Sequence, residues 1–174
     1  MSKFSKFYLL GALLMVSACQ NNIKPAIVPP AEITPPPAHS LEIIGGVEPV
    51  YFLPLKAPIA ARIDTGAETS SVDADNIRAF ERDGEKWVSF RLANAANGEN
   101  HVFEKRIKRR TNIRRAEGNE FRYVVNMDIK IGNEIINADF TLAKRDKFNY
   151  QGLIGRNIIN GRFIVDPSVE NTIR

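Results

Sequence analysis

At 174 residues, 44% of them hydrophobic, the chain has the length of one globular domain and not of two. Lys and Arg number 24 against 20 Asp and Glu, a formal net charge of +4. Two of the basic residues, Lys3 and Lys6, lie in a segment read below as a removable leader, so the remainder is close to neutral and implies no nucleic-acid partner. The single cysteine, Cys19, excludes an intramolecular disulfide.

The chain begins with a short positive segment carrying Lys3 and Lys6, then an apolar run from Phe7 to Val16, then Val16-Ser17-Ala18-Cys19. An ordinary membrane-spanning helix needs ~20 apolar residues; this run has the size of a signal-peptide core. An ordinary secretory signal that happens to end near a cysteine has the same outline. The small residues before the only cysteine resemble the bacterial lipoprotein signal. That resemblance implies removal of residues 1–18, diacylation of Cys19, and a periplasm-facing protein held at the membrane by lipid. Gln20, where an aspartate would retain the protein at the inner membrane, points to the outer membrane. Residues 19–40 hold Pro25, Pro29, Pro30, Pro35, Pro36 and Pro37. Proline fixes φ and donates no backbone hydrogen bond, so this stretch reads as a semi-rigid extended linker.

From Leu41 onward short apolar segments are broken by Gly, Asn and Pro. Ile59 to Ile63 predicts a strand that runs into Asp64-Thr65-Gly66-Ala67. Asp73 to Phe80 reads as a short helix. Trp87 to Leu92 and His101 to Ile107 read as strands on either side of a loop, Asn94 to Asn100. Lys105, Arg106, Lys108, Arg109, Arg110, Arg114 and Arg115 crowd the next stretch. They suit a solvated strand edge, where charge discourages edge-to-edge pairing, or a surface that captures an anionic substrate or phospholipid headgroups. The clearest strand is Arg122 to Ile131, in which Tyr123, Val125, Met127, Ile129 and Ile131 alternate with Arg122, Val124, Asn126, Asp128 and Lys130. Gly132-Asn133 is a favourable two-residue hairpin turn, and Ile135 to Leu142 alternates on the way back. Arg156 to Asn160 reads as a second short helix and Arg162 to Val165 as a last strand. The expected fold class is all-β, with one or two short helices, closed as a barrel or barrel-like sandwich.

A carboxylate at a strand end, followed by a hydroxyl and a glycine, serves equally well as an Asx-type turn or as a rigidly held catalytic acid. The wider stretch ARIDTGAETSSV (residues 61–72), with FERDGEKWVSF (80–90), FRYVVNMDIKIGNE (121–134) and GLIGRNIINGRFIVDP (152–167), resembles the retropepsin-like aspartic peptidases. Within them it is similar to the bacterial family long labelled ATP-dependent zinc proteases. The resemblance runs from about Leu41 to Pro167. It implies a closed acid-protease barrel over residues 41–174, Asp64 as the catalytic carboxylate, and support from Thr65, Gly66, Ala67, Leu153, Ile154 and Gly155. The inherited label fails a residue check. His39 and His101 are isolated, there is no Cys cluster and no phosphate-cradling GxxxxGK[ST] loop, so neither zinc nor ATP is expected as a cofactor.

Acid-protease chemistry needs two carboxylates sharing one proton, yet Asp64-Thr65-Gly66 occurs once. The resemblance therefore implies a homodimer with one Asp64 from each copy, acting on a peptide or glutamyl-type amide. A non-catalytic envelope scaffold that keeps the fold is the alternative. The covering flap falls near Asn94 to Asn100 or near Thr111 to Asn119.

Overall fold

A computed structural model describes residues 41–115, 118–145 and 147–173. Cys19, the leader and the Pro-rich linker lie outside them. The elements run in chain order as β1 (Glu42–Gly45), β2 (Val47–Phe52), β3 (Ile59–Ile63), β4 (Ser70–Asp73), β5 (Asp75–Arg82), β6 (Glu85–Ala93), β7 (Asn100–Arg106), β8 (Arg109–Arg115), β9 (Gly118–Ile131), β10 (Glu134–Ala143), β11 (Gly152–Ile154), the single-turn helix α1 (Arg156–Ile159) and β12 (Phe163–Asp166).

Strands β10, β4, β11, β3, β2 and β9 pair in that order, and β9 pairs back onto β10, which closes a six-stranded barrel. The long β9–β10 hairpin is the alternating segment seen in the sequence. Val125, Met127, Ile129 and Ile131 from β9 are fully buried, as are Phe140 and, to within a few per cent, Ile136 and Leu142 from β10. Gly132 supplies the left-handed turn residue (φ 56°) that Asn133 follows. Phe52 and Phe140 meet edge-to-face inside the barrel at 5.2 Å. Val124, on the polar set by alternation, is also fully buried.

Two smaller sheets attach to the barrel. The antiparallel sheet β5–β6–β7 buries Val88, Phe90, Leu92 and Phe103. Strands β1 and β12 form a parallel ribbon with Ile43 opposite Ile164. The ribbon is locked by Glu48, whose carboxylate is fully buried. It accepts hydrogen bonds from the N–H groups of Gly45, Thr172 and Ile173 and from the Thr172 hydroxyl.

Asp73 to Phe80, expected as a helix, is the end of β4 followed by β5. Asn76 takes a left-handed backbone (φ 50°), and the ladder with β6 carries an irregularity between Asp75 and Arg78. The segment instead gains a full antiparallel partner and a forked Arg91–Asp75 ion pair across it, so tertiary pairing overrides a weak local preference. Thr111 to Asn119, read as a loop, lies mostly in the β8 and β9 arms of a hairpin, with Thr111 opposite Arg122.

Candidate active site

Strand β3 carries Asp64 to the surface of the barrel. Its register with β11 places Ile154 beside Ile63, and the next N–H, that of Asp64, donates to the Ile154 carbonyl at 2.9 Å. The chain then turns at once. Asp64 Oδ1 accepts from the N–H groups of Gly66 (2.9 Å) and Ala67 (3.2 Å), and the Ala67 N–H also reaches the Asp64 carbonyl at 3.3 Å. Asp64 is half-buried, while Thr65 and Gly66 are exposed. The Thr65 hydroxyl has no hydrogen bond among the described residues. Gly66 is not in the left-handed region. A Cβ there would sit 3.2 Å from Asp64 Oδ1, so a larger residue would press on the carboxylate that shapes the turn.

The turn is held from behind by Leu153-Ile154-Gly155 and the start of α1. The Arg156 N–H donates to the Ala67 carbonyl (2.8 Å), and Arg156 Nη1 donates to the carbonyls of Gly66 (2.7 Å) and Thr65 (3.1 Å). Ser70, fully buried, accepts from the Gly155 N–H at 2.9 Å and donates its hydroxyl to Asn157 Oδ1 at 2.8 Å. Asn157 Nδ2 in turn donates to the Asp139 carbonyl of β10. A Cβ on Gly155 would lie 2.9 Å from both the Ala67 oxygen and the Thr69 carbonyl carbon. Gly155→Ala is therefore predicted to cost about 1–3 kcal/mol by overpacking and to displace the turn. Urea unfolding checks the first effect, and an unchanged midpoint would show that the backbone yields freely there.

Two cavities flank the turn. One of about 350 Å³ is lined by Asp64 and Thr65 together with Val165 and Pro167 of the β12 end. The other, about 610 Å³, takes in Ala67, Thr69 and Leu153, and on its far side Arg109, Arg122 and Arg145; Glu68 is its one acidic lining residue. Arg145 is only 8% exposed. Its guanidinium donates to Tyr150 O (3.1 Å) and Ser71 Oγ (3.0 Å) and lies 4.6 Å from the centre of the Phe148 ring. Burial, and then the charge of Arg122, push its pKa below the usual arginine value, with Asp73 and Asp64 pulling the other way. An arginine remains protonated throughout, so a shielded cation stands within electrostatic reach of Asp64.

The loop from Asn94 to Asn100 lines neither cavity and is tied down elsewhere. Glu99 accepts from the N–H groups of Lys56 (2.8 Å) and Ala57 (2.9 Å), which hold its carboxyl below the usual carboxylate range. The β8–β9 hairpin does reach the larger cavity, through Arg109, Thr111 and Arg122. Among the described residues no three His, Cys, Asp or Glu side chains gather as a metal-binding set.

All the residues singled out around the turn come together: Asp64, Thr65, Gly66 and Ala67 face Leu153, Ile154 and Gly155. Missed were the Ser70–Asn157 brace and Arg145, which stands far along the chain from Asp64 and carries no local pattern.

The family described as retropepsin-like aspartic endopeptidase RimB matches residues 43–174. A probable alpha-L-glutamate ligase of Shewanella pealeana is 41% identical over 130 residues, covering 72% of this chain and 28% of the relative. One from Desulfotalea psychrophila is 36% identical over 138 residues, covering 74% and 29%. The chain thus spans under a third of the length of these curated relatives. The crystal structure of Lpg0085 from Legionella pneumophila, a protein of unknown function, superposes with a TM-score of 0.66 at 28% identity, covering 76% of this chain and 98% of that one.

Proposed function

The chain belongs to the RimB-like family of retropepsin-like aspartic endopeptidases, and on that footing we propose that it hydrolyses a peptide or amide bond in an acidic, glutamyl-type substrate with a water held between two Asp64 carboxylates, one from each copy of a homodimer. Two carboxylates ~3 Å apart cannot both ionise. The ionised one takes a proton from the water, whose oxygen attacks the carbonyl carbon, while the protonated one gives its proton to the carbonyl oxygen. Collapse of the tetrahedral intermediate breaks the C–N bond and passes a proton to the departing nitrogen. The pair, not either residue, owns the two apparent pKa values.

The observation that carries this reading is the Asp64 turn itself, braced from behind by the hydrogen bonds of Ser70, Asn157 and Arg156 and half open in front. The substrate class is supported by Arg109 and Arg145 in the adjoining cavity, where Arg122 is already paired with Glu120 at 2.9 Å. It is also consistent with relatives named for glutamate chemistry. On the same reading the β8–β9 hairpin is the flap, and Cys19 carries the lipid that anchors the domain at the periplasmic face of the bacterial envelope, the outer membrane in preference to the inner. Confining two copies to one surface would raise their effective concentration.

The β1–β12 ribbon is the surface on which we place the second copy. Ile43 and Ile164 are paired across it and are 58% and 51% exposed. Its Val165 and Pro167 share the smaller cavity with Asp64. Ile164→Asp is predicted to weaken self-association about a hundredfold, since a charge must be desolvated in each copy. The specific rate should then rise with protein concentration. Sedimentation run beside the hydrolysis assay checks both. A strict monomer with full activity would exclude the shared dyad.

A further inference from the structure

Strand β8 divides its side chains between two grooves. Arg109 and Thr111 line the cavity beside the Asp64 turn, with Arg122, the cross-strand partner of Thr111. Arg110 lines a different cavity of about 580 Å³, with Tyr123, its own cross-strand partner, Lys108 before the strand, and Phe80 and Lys86 of the β5–β6–β7 sheet. The hairpin is thus a wall between two grooves, and Arg109 lines both.

The second groove carries Lys86, Lys108, Arg109 and Arg110 against one acid, Glu81. Lys108 is neutralised by Asp139, at 2.8 Å. Lys86, Arg109 and Arg110 form no ion pair among the described residues, although Glu81 lies opposite Lys86 in the strand register. Arg110 is laid on aromatic surface instead, its guanidinium carbon 4.9 Å from the Phe121 ring centre and 5.8 Å from that of Tyr123. That arrangement holds a guanidinium flat at low entropic cost and leaves its N–H groups for an anion. The concave shape and the unpaired charge are more than a solvated strand edge needs.

We infer that this second groove is an exosite that holds an acidic peptide segment of the substrate away from the bond to be cut. This rests on the acidic-substrate reading above, with Arg109 as the crossing point between the two grooves. The groove would take an extended run of carboxylates, contacted by Lys86, Arg109 and Arg110.

Trp87 is the only tryptophan in the chain. It pairs across the sheet with Phe80, which lines the groove, so its fluorescence reports occupancy without turnover. The experiment is a titration of the full-length protein with hexaglutamate, with hexaglutamine as the uncharged control, at low and high salt. The double variant Lys86→Glu/Arg110→Glu spares the Asp64 turn, and Lys86→Gln/Arg110→Gln serves as a milder pair should charge reversal impair folding. Hexaglutamate binding is expected to weaken about tenfold or more in the reversed pair, the effect of two exposed charge contacts of up to ~1 kcal/mol each, and to fall with salt in the wild type. Unchanged hexaglutamate affinity in both double variants would overturn the exosite, as would binding of phosphatidylglycerol vesicles in place of hexaglutamate. Cleavage separates the two readings. If acidic peptides are cut with KM unchanged in the variants, the exosite falls and the catalytic reading stands. If nothing is cut yet hexaglutamate binding depends on Lys86 and Arg110, the catalytic reading falls and the groove remains.

Discussion

Asp64→Asn is expected to lower hydrolysis of an acidic peptide by on the order of 10⁴-fold while leaving the barrel folded. The two effects separate because, on the proposed mechanism, Asp64 has two tasks. Its Oδ1 accepts the Gly66 and Ala67 N–H groups that shape the turn, and an asparagine oxygen accepts the same bonds. The ionisable proton is what asparagine cannot supply. In the proposed homodimer one substitution would remove both the general base and the general acid, each worth about 10²–10⁴-fold. The turn is otherwise held by Arg156, Ser70 and Asn157, none of which contacts the altered atoms. Peptide cleavage by wild type and variant at equal protein concentration, with circular dichroism alongside, makes the test. A variant that cuts within tenfold of wild type would remove Asp64 from the mechanism, whatever the fold.

The second large effect is on stability. Glu48→Ala is expected to cost about 2–4 kcal/mol, a large part of the 5–15 kcal/mol typical of a domain. Glu48 is fully buried and gathers four donors, from Gly45, Thr172 and Ile173. Alanine removes the acceptor those donors share, and each one left unsatisfied costs about 1–3 kcal/mol; the exposed Thr172 can turn to water and the Gly45 N–H keeps Thr172 Oγ1 at 3.1 Å, so the loss falls mainly on Ile173 and on the order of the segment. Movement exposes Ile173, which is 4% exposed in the core beside Gly132. Deleting residues 170–174 disrupts the same latch from the other side. The two changes together should cost much less than the sum of their separate costs, as expected for groups sharing one network. Urea midpoints of the single and combined variants settle this, and a loss below 1 kcal/mol for Glu48→Ala would mean the latch is not a source of stability. The effect should reach the site, because β2, which carries Glu48, pairs with β3, which leads directly into Asp64.

Much of this fold was legible in local pattern. Apart from Val124 and Ile135, residues 123–142 alternate around a Gly-Asn turn, because a strand with one face in a core must place apolar residues at every second position, and a two-residue turn needs the left-handed backbone that Gly132 supplies. The Asp64 turn and Leu153-Ile154-Gly155 were legible as motifs because each is a short stretch whose residue types are dictated by contacts within the stretch and with the other. Asp73 to Phe80 was misread because its own residues are nearly indifferent; what makes it a strand is the edge of β6 alongside it. The basic run was visible as charge, but not its division, since only pairing with β9 decides that Thr111 joins one cavity with Arg122, that Arg110 joins another with Tyr123, and that Arg109 borders both.

Glu48 and Arg145 mark the limit most clearly. In the sequence each is one charged residue in a mixed stretch, of a type that ordinarily faces water. Both are buried because partners far along the chain help satisfy them: Thr172 and Ile173 for Glu48, and Ser71 for Arg145, which also reaches the nearby Tyr150 carbonyl. The sequence by itself determined the barrel's longest hairpin, the family and the turn that presents Asp64, because those depend on residues adjacent in the chain or on motifs with fixed spacing. Which charges line the cleft beside that turn, and which one locks the chain's C-terminal end, was decided only by tertiary structure, because burial of a charge depends on whether distant groups arrive to solvate it.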